Sequence, residues 1–335
     1  MSLSKFFSSI NSRLKGKSKF KLSLYLIAIL IIAIFLIFFP KLVTTPYFIH
    51  IFVLAGMYIV LSLSYDLVVG HVGSLSLAHP AFFGIGAYAG ALLAIKLGVP
   101  MGITLLAGAI MGAVLAILIG IPSFRLGGHS FAIGTLGFAL AVEIIVRNWV
   151  KVTRGPMGIP GIPKPVLRFI GFFEWRLENL GDFYYLMLIL VILTIVLYKL
   201  VDTSRVGRAF RAIREDEILA SANAINPLAN KMLAFTIGAS IAGVAGVFYA
   251  YWFSLVSPEI FGMALTTTLL IIVFVGGRTS LRGIIVAALL VTVIPEFLRI
   301  TPELRLVLYG LILLLTILFF PEGLEGIFQR VEKRK

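Results

Sequence analysis

Apolar runs of 17 or more residues recur along the whole chain, separated by short polar segments. No water satisfies backbone N–H and C=O groups inside a bilayer, so such runs leave two folds open, a helix bundle or a closed barrel. The runs do not alternate apolar and polar at every second residue, which removes the barrel. The prediction is an all-α, polytopic transmembrane helix bundle. Composition agrees: 13% of residues are charged and the mean hydropathy is +1.06, against about 25% charged in a soluble domain. About ten spans are predicted, at 22–39, 46–69, 75–95, 101–121, 128–147, 183–200, 230–253, 264–276, 283–300 and 304–320. The run at 264–276 is short for a hydrocarbon core about 30 Å thick and reads as either a broken or a partly buried helix.

Lys and Arg set the orientation. With both termini in the cytoplasm, 19 of the 29 fall on the inner side, which predicts N-in and C-in. The formal charge of +14 therefore belongs to membrane edges and not to a nucleic-acid partner. Residues 1–21 make a basic cytoplasmic arm, 22–321 the transmembrane domain, and 322–335 a cytoplasmic tail. The arm and first run imitate a signal peptide. The run is 18 residues long, about 27 Å as a helix, and Pro40-Lys41 offers no small-residue cleavage site, so it reads as a retained span. The external loop 148–182 has mixed charge and prolines at 156, 160, 163 and 165. It reads as an ordered surface loop, either a plain connection or a contact for an external partner.

Three stripes of small residues predict close helix packing: Gly86 and Gly90; Gly108, Gly112, Ala116 and Gly120; Gly238, Ala242, Gly246 and Ala250. Two glycine- and hydroxyl-rich turns, Gly73–Ser76 and Gly277–Leu281, follow apolar runs in similar fashion. They point either to duplication around a transport site or to chance.

The chain shows no catalytic motif. Gly16-Lys17-Ser18 resembles the end of a P-loop, but Asn11 stands where glycine is required. There is no cysteine, and the four histidines lie far apart without a metal-binding spacing. His71 and His79 read as lining a polar cavity or, in the plainer reading, as hydrogen-bonded interfacial histidines. Ionisable groups within the runs are Asp66, Glu143, Arg147, Glu296 and Arg299. Glu143 with Arg147 and Glu296 with Arg299 are spaced to pair on one helix face. Asp66 is then the one acid available to an ion-driven carrier, and it sits about one turn from the inner end.

The polar run 202–229 is the longest charged interruption on the basic side. Arginines recur at 205, 208, 211 and 214, followed by Glu215, Asp216 and Glu217. The spacing predicts an amphipathic helix with Val206, Phe210 and Ile213 on one side. Asp216 is predicted to cap a second short helix that carries Ile218, Leu219 and Ala222 as an apolar knob and ends at Pro227. A basic amphipathic stretch also suits lipid headgroups, but the acidic triplet argues against that. The run reads as a docking element for a soluble partner.

The segments Val206–Glu217 and Ala224–Asn226 resemble the EAA-type coupling loop of branched-chain amino acid ABC importer permeases, LivM type. Ser64–Gly70 with Gly73–Tyr88, Leu233–Gly246 and Val275–Gly277 are similar to other signatures of that family. The likeness covers roughly residues 40 to 320. It implies a multi-pass subunit of the cell (inner or plasma) membrane, powered by two ABC ATPase subunits and paired with a second, homologous permease. An external solute-binding protein completes the implied assembly. ATP is then used by the partners, with no cofactor and no metal on this chain. The implied contacts to the ATPase are Arg211, Arg214, Glu215, Asp216, Glu217, Ile218, Leu219 and Ala222. Candidate solute-pathway residues are Ser74, Ser76, His79, Phe82, Thr266, Thr279 and Ser280. The implied cargo is a branched-chain or related apolar amino acid. Urea, amides, polar amino acids and a stand-alone secondary transporter remain as alternatives. Two departures stand out. Ala224 replaces a usual glycine, so a left-handed turn is not expected there. Ala78 and Pro80 flank His79 where glycine and alanine are usual.

Overall fold

The computed structural model describes residues 34–42, 45–169, 173–297, 302–319 and 323–326. The chain divides into two units, 1–49 and 50–335. In the first, residues 34–42 are helical (α1), and most of the predicted run 22–39 lies outside the described residues. All contacts below belong to the second unit.

The remaining helices are α2 (Pro46–Asp66), α3 (His79–Leu97), α4 (Met101–Ser123), α5 (Gly128–Asn148), α6 (Val150–Thr153), α7 (Leu180–Thr203), α8 (Arg205–Glu215), α9 (Glu217–Ala222), α10 (Pro227–Phe253), α11 (Met263–Gly276), α12 (Leu281–Phe297) and α13 (Pro302–Phe319). Among the described residues, six are long and apolar enough to cross a bilayer: α2 with its extension to His71, α3, α4, α5, α7 and α10. The predicted runs 264–276, 283–300 and 304–320 correspond to α11, α12 and α13, of 14, 17 and 18 residues. Helix α11 is short and continuous, with Thr266, Leu269, Ile271, Ile272 and Val273 buried, so it fits the partly buried helix and not the broken one. The span predicted at 75–95 is corrected at its start: Gly73–Ala78 is irregular and helix begins at His79. Pro80, which lacks an N–H, sits in that first turn, where no intrahelical donor is needed.

Helix α10 is the packing centre and runs along α3 and α4. The small-residue stripes explain why. A Cβ on Gly112 would stand 2.3 Å from the Ala239 carbonyl oxygen, and one on Gly246 would stand 1.9 Å from that of Phe83. Backbones this close leave no room for a side chain, and dispersion contacts replace the hydrophobic drive that lipid removes. Gly243, which lies outside the predicted stripe, meets the Gly108 carbonyl at 2.1 Å in the same test.

The described residues of the segment 148–182 form two short strand pairings and a helix start. Its β1 (Ile159–Pro160) pairs antiparallel with β4 (Leu255–Val256), just after α10. Its β2 (Val166–Phe169) pairs with β3 (Phe173–Arg176) as a hairpin. Asn179 and Asp182 form a capping box that starts α7.

Candidate functional site

The site is built from α7, α8 and α9 and from the broken end of α2. Helix α7 ends at Thr203, and one residue, Ser204, separates it from α8. The Ser204 hydroxyl accepts the Gly207 N–H and caps α8. Helix α8 places Phe210 and Ile213 inward, as its sequence pattern predicts. They pack with Val72, Ala220 and Ala234, and Val206 lies against the same cluster.

Asp216 then caps α9: its carboxylate accepts from the N–H groups of Ile218 and Leu219, both at 2.9 Å. Glu217 lies in the first turn of α9 and also bridges to Lys231 on α10 at 2.6 Å. Ile218 and Leu219 are 84% and 62% exposed, and Ala222 is exposed beside them. The apolar knob read from the sequence is present and exposed among the described residues.

Two expectations here are corrected. Pro227 does not end α9. The helix stops at Ala222, where the Asn223 N–H closes the last turn, and Pro227 opens α10 behind an Asn226 cap. Ala224 does adopt the left-handed turn, with φ 61°. Its neighbours hold it there: the Ala224 and Ile225 N–H groups bond to Ser221 O and Ala220 O. The side chain bears a steric cost of about 1 kcal/mol that glycine avoids.

Arg211 and Arg214 turn towards the chain. Arg211 pairs with Asp202. Arg214 donates to the Gly70 carbonyl at 2.7 Å. Gly70 lies in a π-helical turn, Leu67–His71, that continues α2. Such a turn leaves carbonyls without regular helical partners, and frequently marks a functional site.

At the start of that turn Asp66 is fully buried. One of its carboxylate oxygens accepts the Tyr198 hydroxyl at 2.6 Å and lies 3.2 Å from His71 Nδ1. The other accepts the Thr279 N–H at 3.1 Å. His71 Nε2 faces Asp202 at 3.1 Å. Both ring nitrogens thus point at carboxylate oxygens. A Cβ on Gly70 would stand 1.9 Å from the nearer Asp66 oxygen, so glycine is required for the carboxylate to lie back over the turn. Thr279 has φ 63°, a strained value for a β-branched residue. Such a conformation costs about 1–3 kcal/mol and persists where its surroundings impose it.

The sequence marks Asp66, His71 and the arginines, and the hydrogen-bonded reading of His71 holds, but it does not pair them or mark Tyr198, Asp202 and Gly70 as their partners. The faint signal was His71 five residues after Asp66 and Asp202 at the head of the arginine run.

The solute-pathway candidates fall in two places. Ser76, His79 and Phe82 are buried at the start of α3. Ser76 O accepts from Tyr65, His79 Nε2 meets Ser64 Oγ at 2.8 Å, and Phe82 packs edge-on against Phe235. Thr279 and Ser280 lie in the α11–α12 turn, where Ser280 bonds to Glu325. Thr266 lies buried on α11, and among the described residues its hydroxyl and His79 Nδ1 have no hydrogen-bond partner. Ser74 lines a cavity of about 430 Å³ with Arg214, Glu217, Lys231 and His129.

The family model described as branched-chain amino acid transport system, permease component, matches residues 47–317. The chain belongs to that permease family. It is 35% identical over 325 residues to the high-affinity branched-chain amino acid transport permease LivM of Escherichia coli, covering 92% of this chain and 76% of the relative. It is 26% identical to LivH of the same organism, covering 82% and 92%. It is 28% identical to BraD of Pseudomonas aeruginosa, covering 80% and 91%. No solved structure matches the chain. Family membership and the apolar helices make this a multi-pass transport permease of the LivM type. The family is described as the permease component of a transport system.

Proposed function

We propose that the chain is the membrane subunit of an ATP-driven ABC importer for branched-chain or related small apolar amino acids. Two ATPase subunits grip α8–α9 from the cytoplasm, the side that the Lys and Arg bias assigns to this loop. A homologous permease and an external binding protein complete the importer. ATPase closure moves α8–α9, and the bundle alternates between outward and inward access. The observation that carries this reading is the pair Ile218 and Leu219, exposed on a helix that is capped by Asp216 and anchored through α8. An exposed apolar pair on a rigid mount suits insertion into a partner's groove.

Within this reading Ile218, Leu219, Ala222 and Glu215 meet the ATPase directly. Asp216 and Glu217 shape the helix that presents them, and Arg211 and Arg214 tie it to the bundle. The Thr266 hydroxyl and His79 Nδ1 are the pathway candidates without a hydrogen-bond partner among the described residues. An ion-driven carrier needs a carboxylate free to bind its ion. The Asp66 oxygens are instead taken up by Tyr198, His71 and Thr279.

The test is reconstitution. The chain is placed in proteoliposomes with the sister permease, both ATPases and the binding protein, and uptake of radiolabelled leucine is followed. ATP-dependent uptake by the full set, and none by the chain alone, is expected. Uptake or ATP hydrolysis by the isolated chain would overturn the proposal.

A further inference from the structure

Asp66 is the one point in the site where three distant segments meet. Tyr198 comes from the end of α7, which runs straight into α8. Thr279 comes from the turn between α11 and α12. Asp66 and His71 belong to the broken end of α2. The coupling helix reaches the same broken end twice more, through Arg214 on the Gly70 carbonyl and through Arg211, Asp202 and His71. The Arg214 side chain also lies over Gly73, where a Cβ would stand 2.9 Å from its Cγ.

These contacts form a continuous chain of polar contacts from α8 to Thr279, through Arg211, Asp202, His71 and Asp66. The links at Asp66 and His71 are buried, which strengthens them, while the outer pair of Asp202 and Arg211 is partly exposed. The far end of the chain is a threonine in a backbone conformation it adopts only under constraint. A carboxylate that holds a strained turn at one end and the root of a coupling helix at the other is placed to move them together.

We propose that Asp66 is a positioning residue for transport: it carries movement of α8 to the α11–α12 turn. Tyr198 and His71 feed it from the coupling side, and Thr279 is its output. This rests on the proposed ATP-driven function. Losing the carboxylate charge weakens the bonds from His71 and Tyr198, and movement of α8 no longer reaches the turn. The ATPases still cycle, but solute does not follow.

The test uses the full complex in proteoliposomes, with ATP hydrolysis and leucine uptake measured in the same preparation. For Asp66→Asn, assembly is kept, hydrolysis is expected to stay near wild type, and uptake falls. The ATP consumed per leucine then rises about ten-fold, within the range of ordinary coupling energies. Tyr198→Phe removes one donor and keeps the ring; a smaller rise is expected, and this variant carries the test if Asp66→Asn fails to assemble. A residue that only stabilises the fold would lower hydrolysis and uptake in proportion, and an unchanged ratio in an assembled variant overturns the inference while leaving the function standing. A wild-type complex without ATP-driven uptake overturns the function, and this inference with it.

Discussion

Helices α8 and α9 are separated by a single residue, Asp216, yet they treat their apolar side chains in opposite ways. Helix α8 places Phe210 and Ile213 in a cluster with Val72, Ala220 and Ala234. Helix α9 leaves Ile218 and Leu219 exposed. The first helix is completed by its own chain and the second is not. Unpaired apolar side chains on a firmly mounted helix mark an interface. The anchored helix supplies the stiffness, and the presenting helix supplies the contact.

That contrast breaks most readily at Phe210. Its ring is fully buried, and Phe210→Ala is expected to cost about 3–5 kcal/mol, the usual range for emptying such a site. A markedly lower unfolding midpoint in detergent would show it. A midpoint within a degree or so of wild type would mean that α8 is not anchored as described.

The junction between the helices is the next test. Asp216→Ala removes the acceptor for two N–H groups at the start of α9. A loss of about 1 kcal/mol is expected, confined to that helix. Hydrogen exchange should quicken in residues 217–222 and stay unchanged in α8. Equal quickening in both helices would merge them into one unit and remove the contrast.

Much of this was legible in the sequence, and the reasons are local. The bounds of α8 follow from Val206, Phe210 and Ile213 at helical spacing. The Asp216 cap follows from an acid placed just before a short apolar pattern. The close approach of α10 to α3 and α4 follows from small residues four apart. What stayed hidden depends on partners far along the chain. Tyr198 and Thr279 lie 132 and 213 residues from Asp66, and no periodicity links them. Ala224 misled because propensity disfavours its turn, while the surrounding hydrogen bonds impose it. Pro227 misled because proline serves equally to stop one helix and to start the next.

The central claim is that a partner grips the exposed pair on α9 from the cytoplasm. The chain has no cysteine, so Ile218→Cys gives a single thiol on a side chain that carries no intramolecular load, and its effect on stability is expected within about 0.5 kcal/mol. The direct measurement is labelling of that thiol by a membrane-impermeant reagent in oriented vesicles, with and without the two ATPase subunits. The account predicts labelling from the cytoplasmic face alone, and its suppression when the ATPases are bound. Labelling from the external face, or equal labelling in their presence, would contradict it.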